Sequence, residues 1–200
     1  MTNSTMTKYD FTKVISHYNS KLLEAQLKYI NEEDAGGKVR GINGKLYEQI
    51  ATEICQLVDN NLVIKHNDYK REYSPCGEYY NDSQVDLHVY LRDELILIIE
   101  CKTYLDKSML IRAVDEFKNI RKHHAITSDK VLPCAIFTGQ FDVNKNTFGF
   151  FNSTNSFDTF VVNSTRKRNS KLPLHKTLDP LDVNRLQQFA DYVYNIVNNS

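Results

Sequence analysis

Asp86, Glu100 and Lys102 are the residues through which this 200-residue chain could do chemistry. From Val85 to Leu91 apolar and polar residues alternate. That predicts a half-buried strand with Val85, Leu87, Val89 and Leu91 on one face and Asp86, His88 and Tyr90 on the other. Arg92-Asp93-Glu94 is a polar break of hairpin-loop length. Leu95 to Lys102 is almost continuously apolar, which predicts a central strand covered on both faces. Such a strand should not run into Glu100 and Lys102 unless those charges have a task or a partner. A hairpin closed by Arg92 to Glu94 sets Leu91 opposite Leu95, and hence Asp86 opposite Glu100, with Cβ atoms about 4.5–5.5 Å apart. Facing carboxylates repel unless a cation lies between them. Lys102 projects from the same face as Glu100, and Cys101 points away. Two carboxylates and one ammonium at a single spot suit an octahedral Mg²⁺ held by Asp86 and Glu100, with Lys102 beside an attacking water. The alternative, a salt-bridged patch at a sheet edge, leaves the facing carboxylates unexplained.

At these residues the chain resembles the PD-(D/E)xK nuclease superfamily, and by size its type II restriction endonucleases. The matching pieces are Asp86, Glu100-Cys101-Lys102 and, upstream, Glu48 on a predicted helix. Val85 stands where the family signature has Pro. The resemblance covers residues 44 to 138. It implies a restriction-endonuclease-like core of α/β (α+β-like) class, a central mixed β-sheet flanked by helices. It also implies Asp86, Glu100 and the backbone carbonyl of Cys101 as metal ligands, Lys102 as the residue that orients or activates water, and Glu48 as an acid completing the site. The cofactor would be Mg²⁺, with Mn²⁺ able to substitute. The substrate would be double-stranded DNA, cut by a homodimer, because a two-fold symmetric site is met most simply by two symmetric active sites. Two other classes stay open: a repair, junction-resolving or mobile-element nuclease of the same fold, and a nucleic-acid-binding module with an inactive site.

One domain spanning residues 1 to 200 must position these groups, with a core at 44–138. A helix at 9–31 and the segment 148–200 are additions for DNA contact or dimerisation. The helix has apolar residues at Phe11, Val14, Ile15, Tyr18, Leu22 and Ala25. Glu32 to Gly44 holds four glycines and reads as a loop in which Lys38 and Arg40 could lie on phosphates. Lys45 to Asn60 reads as the helix carrying Glu48, and Leu62 to Ile64 as a short strand. Lys65 to Tyr80, with Lys70 and Arg71, is a basic, aromatic excursion that could touch substrate. After the hairpin, Ser108 would cap a helix with Leu110, Ala113, Val114, Phe117 and Ile120 inward and Arg112 on the polar face. Its end, Lys118 to His124, fits phosphate contact or simple dipole complementation. Val131–Thr138, Phe148–Phe151 and Phe157–Val162 read as strands. Arg166, Lys167, Arg168 and Lys171 lie in the most basic segment and are the best candidates for DNA contact. Asp179-Pro180 would open the last helix.

Bulk properties narrow the classes. Lys and Arg number 25 and Asp and Glu 25, so the formal net charge is zero. That balance neither supports nor forbids nucleic-acid binding, since an acidic site can offset a basic face. There is no eighteen-residue apolar run and the polar start has no signal-peptide core, which predicts a cytoplasmic protein away from membranes. Cys55, Cys76, Cys101 and Cys134 form no C-x-x-C pair, so reduced thiols are expected and a structural zinc site is not. A dinucleotide fold is disfavoured by the lack of G-x-G-x-x-G, and a phosphate-binding loop fails at Gly44-Lys45-Leu46.

Overall fold

A computed structural model describes residues 8–66, 70–73, 79–83, 85–163 and 180–200. The chain runs α1 (Thr12–Tyr29), α2 (Ala35–Val58), β1 (Val63–His66), β2 (Lys70–Tyr73), β3 (Tyr79–Ser83), β4 (Leu87–Leu91), β5 (Glu94–Leu105), α3 (Lys107–Thr127), β6 (Cys134–Phe141), α4 (Lys145–Asn155), β7 (Asp158–Val161) and α5 (Val183–Asn199). Five strands form one sheet in the order β1-β4-β5-β6-β7. The β1–β4 and β4–β5 pairs are antiparallel, whereas β5–β6 and β6–β7 are parallel. The fold is therefore α/β, a mixed sheet flanked by helices, the class that the resemblance implies. A separate ribbon, β2–β3, pairs Lys70 with Ser83 and Arg71 with Asp82.

Helices cover both faces of the sheet, and β5 is the strand that both layers share. Leu97, Ile99 and Cys101 pack with Val14, Tyr18 and Leu22 of α1, Ile50 and Ile54 of α2, and Phe189 and Val193 of α5. Leu95 and Ile98 pack the other way, against Leu110, Val114 and Phe117 of α3. Each such large apolar side chain contributes about 1.5–3 kcal/mol when fully buried, so an unbroken apolar run is what this central strand requires. Covering on both faces also corrects the half-buried reading of β4. His88 is 1% exposed and Tyr90 9%, because α3 closes the side that an isolated alternation would leave to water.

Other expectations need correction. The glycine-rich stretch 32–44 is helical from Ala35, where the Asp34 side chain accepts from the Gly37 N–H at 3.1 Å. Burial of Val39 and Leu46 outweighs the helix-breaking cost of the glycines, about 1 kcal/mol each. Phe148–Phe151 is part of α4 rather than a strand. Phe148 sits edge-on to Phe141 and Phe157, with Asn144 capping the helix start. α3 is capped by Asp106, two residues before Ser108. α5 is capped by Asp182, while Asp179 lies outside the described residues. Arg121 is not free for phosphate, since it donates to the carbonyls of Leu132, Asn155 and Ser156 and ties α3 to the end of α4. Among the described residues no helix is long and apolar enough to cross a membrane.

Candidate active site

Hairpin geometry decides whether the acids meet. The turn has two residues, not three, with Arg92 at φ 50° and Asp93 at φ 66°, and Leu91 pairs with Glu94. Two consecutive left-handed residues are the signature of a type I′ turn, whose twist matches that of the strands it joins. A two-residue turn alone would slip the register by one and set Asp86 against Ile99. A β-bulge restores it: Tyr90 pairs with Leu95 but Val89 with Leu97, so Ile96 is left over. Leu87 then pairs with Ile99, and the next position sets Asp86 against Glu100.

Contacts agree. The Asp86 N–H donates to Glu100 Oε2 at 3.3 Å, and the Cys101 N–H donates to Asp86 Oδ2 at 2.7 Å. Lys102 Nζ lies 3.3 Å from Asp86 Oδ2 and also pairs with Glu100 Oε1. One ammonium thus stands between two carboxylates. Because the N–H and C=O of a residue in a strand leave by the same edge, the Cys101 carbonyl is directed toward Asp86 as well. The Cys101 side chain turns to the opposite layer and is buried there.

Asp86, Cys101 and Lys102 line a cleft of about 400 Å³ at the far end of β5, together with Arg40, Lys45, Glu48, Tyr104 and Met109. α2 brings Glu48 to the cleft from one side. Glu48 Oε2 is 3.4 Å from His66 Nδ1 on β1, a long contact. Thr103 Oγ1 donates to the Arg40 carbonyl at 3.0 Å and so fastens α2 to β5 beside the acids. The Glu100 side chain is only 4% exposed, against 20% for Asp86 and 24% for Lys102. Glu100 is therefore buried behind Asp86 and Lys102, which line the cleft themselves.

Electrostatics here is under tension. Burial pushes the Glu100 carboxyl up to about 8, with Lys102 pulling against it and Asp86 adding to the rise. Burial, then Asp86, raises Glu48 above its usual range, opposed by His66 and Lys102. For Lys102, burial works against the charge, but Glu100 and Asp86 outweigh it and hold the pKa above its ordinary value. Lys102 pairs with two carboxylates, and burial is the main reason that Glu100 and Glu48 resist ionising. Among the described residues no three His, Cys, Asp or Glu side chains are gathered as a ready-made ion site. Hard oxygen donors at this spot come instead from Asp86, Glu100 and the Cys101 carbonyl, with Glu48 alongside.

The structure thus brings Asp86, Glu100, Cys101, Lys102, Glu48 and Arg40 together. Lys38 is drawn elsewhere: it pairs with Glu32, and its ammonium lies 5.5 Å from the Tyr29 ring centroid. Lys70 and Arg71 fall on β2, while Arg166, Lys167, Arg168 and Lys171 lie outside the described residues. Two neighbours were missed by the sequence reading. Glu116 on α3 and His66 on β1 both approach the carboxylates. The four-residue spacing of Arg112 and Glu116 signals a helix-surface pair, but nothing local shows which side of α3 meets the site. A second cavity, of about 460 Å³, lies at the hairpin end of β5 and is lined by Leu95, Leu132, Tyr192 and Ile196 among others. Its charged side chains, Glu94 and Lys130, form one exposed ion pair at 3.4 Å, and among the described residues no second Asp or Glu lines it, so the chemistry belongs to the smaller cleft. Compared with known proteins, the chain matches no protein-family model and no curated protein.

Proposed function

We propose that this chain is a Mg²⁺-dependent endonuclease of the PD-(D/E)xK type that hydrolyses double-stranded DNA at a specific site, as a type II restriction enzyme does. The observation that carries this reading is the convergence of Asp86, Glu100 and Lys102 on one face at the end of β5. The donor set fits the metal. It is made of hard oxygens, it offers more carboxyl groups than the one Lys102 ammonium can pair with, and a nearby cation would favour ionisation of its buried acid, which burial and Asp86 raise. Asp86, Glu100 and the Cys101 carbonyl would hold Mg²⁺, with Glu48 at the edge of the set; Mn²⁺ would serve in its place. When bound, the ion neutralises charge that builds on the phosphate oxygens.

The chain's own residues do the rest. Lys102, which lines the cleft, donates through Nζ to the water that attacks phosphorus and holds it in line. Glu100, behind it, keeps that ammonium charged and aimed. Arg40 and Lys45 flank the opening and suit the phosphates that run through it. Water adds to phosphorus, the P–O bond to the leaving oxygen breaks, and a proton passes to that oxygen. Cutting both strands of a symmetric site calls for two copies of the chain. Leu23, Leu27 and Ile30 form an exposed apolar stripe on α1 and the turn after it, which suits contact with a second copy.

Digestion of plasmid duplex by the purified chain, with Mg²⁺ and with a chelator, tests the reading. Discrete fragments that need the metal support it. No cleavage of duplex under any divalent cation overturns it, and cleavage confined to branched or single-stranded DNA would assign the same site to a repair substrate.

A further inference from the structure

α3 flanks the cleft with three residues in one line along the helix. Met109 lines the cavity directly. Arg112, one turn on, and Glu116, one turn further, extend the same side, and Arg112 Nε donates to Glu116 Oε1 at 3.0 Å. On an ordinary solvated helix both members of such a pair face water, and the pair contributes little. This pair is asymmetric. The Arg112 side chain is 75% exposed, whereas that of Glu116 is 13% exposed. Glu116 Oε2 is buried with no hydrogen-bond partner among the described residues. Burial raises the Glu116 carboxyl above its usual range, and Arg112 opposes the rise. Glu116 is also close enough to Glu100 for its charge to raise that acid, so it adds repulsion to a crowded site. A buried acid that costs stability in this way has a reason to be there if it holds something. What it holds is Arg112, whose charge is in turn felt by Glu100 and Asp86. Only Nε of the guanidinium is engaged, and among the described residues Nη1 and Nη2 make no hydrogen bond. Those two nitrogens form the fork that binds a phosphate through two oxygens.

We infer that Arg112 binds a backbone phosphate of the nucleic acid beside the cleft, and that Glu116 is the positioning residue that aims its guanidinium there. This rests on the nuclease reading above and adds to it a phosphate contact supplied by α3. Arg112 neutralises one phosphate next to the one that is cut. Glu116 touches no substrate and acts through Arg112 alone. Lysine at position 112 would keep the charge and lose the fork.

Steady-state cleavage of plasmid duplex in Mg²⁺, measured from about 50 to about 200 mM salt, tests the assignment with wild type, Arg112→Ala, Arg112→Lys and Glu116→Gln. Arg112→Ala should raise KM about ten-fold or more, the loss falling on KM rather than kcat. It should also make the slope of log KM against log salt shallower by about 0.9, the effect of one lost phosphate contact. Arg112→Lys should restore the slope but only part of the affinity. Glu116→Gln should move KM in the same direction as Arg112→Ala, which a merely structural acid would not do once folding is checked by circular dichroism. Wild-type KM and slope in Arg112→Ala would overturn the inference, as would a loss confined to kcat. Failure of the wild type to cleave duplex at all would instead remove the nuclease reading, and this inference with it.

Discussion

Asp86 stands across the β4–β5 hairpin from Glu100, its backbone N–H 3.3 Å from Glu100 Oε2. Two departures from a regular hairpin produce this facing pair. The two-residue turn at Arg92-Asp93 shifts the register one way, and the bulge at Ile96 shifts it back. Neither alone would bring the two carboxylates opposite each other, since a slip of one residue turns every side chain to the other face.

Deletion of Ile96 should therefore be tolerated in the site. The remaining residues of β5 keep their partners, with Val89 still against Leu97 and Leu87 against Ile99. Deletion of Ile98, two positions on, would place Glu100 against Leu87 and drive its charge into the opposite layer. Metal-dependent cleavage should survive the first deletion, at a loss of about 1–3 kcal/mol for the buried Ile96 side chain. It should disappear with the second. Cleavage assays beside urea melts of both variants check this.

Replacing Glu100 with Gln or Lys102 with Ala should reduce cleavage at least about 100-fold. Glu100→Gln should at the same time raise the urea midpoint of the metal-free protein, because it removes a buried acid that is pushed up to about 8 by its surroundings. Opposite movements of activity and stability in one variant mark a residue kept for function. A Glu100→Gln protein that cleaves at the wild-type rate would remove Glu100 from the site.

Gly139 on β6 is the position where the sheet beside the cleft admits no side chain. A Cβ there would stand 2.1 Å from Tyr47 Oη and 2.8 Å from the Thr103 carbonyl, which belongs to β5 next to Lys102. Tyr47 also donates to buried Asn163 at 2.6 Å, so its ring is not free to swing aside. Gly139→Ala should cost about 1–3 kcal/mol in a denaturation experiment and should also lower cleavage, since the strain falls on the strand that carries the site. Wild-type stability in Gly139→Ala would show that β5 and β6 can separate more readily than their packing indicates.

Thiol chemistry offers a test independent of function. Burial pushes Cys55 and Cys134 up to about 12, well above an ordinary thiol near 8.5. A raised pKa keeps the unreactive thiol form dominant as pH climbs, so at pH 8.5 an exposed cysteine is half thiolate while these two are almost wholly protonated. Alkylation of the native protein at pH 8.5, read residue by residue by mass spectrometry, should spare both until denaturant is added. Rapid native labelling of either would contradict its burial.

Much of this was legible in the chain itself. Periodicity located β4 and β5, the apolar faces of α1, α3 and α5, and the arrival of Glu100 and Lys102 on one face, because strand and helix periods depend only on local geometry. It did not disclose that two hairpin irregularities cancel, since turn type and bulge are settled jointly by strand twist and by the layers packed on each side. It missed the helical start of α2 because glycine is judged by its own propensity, whereas Val39 and Leu46 gain their burial only once the sheet is in place. For the same reason Glu116 went unnoticed. Whether a carboxylate on α3 faces water or faces Glu100 depends on the rotation of the whole helix against the sheet, which only long-range packing decides.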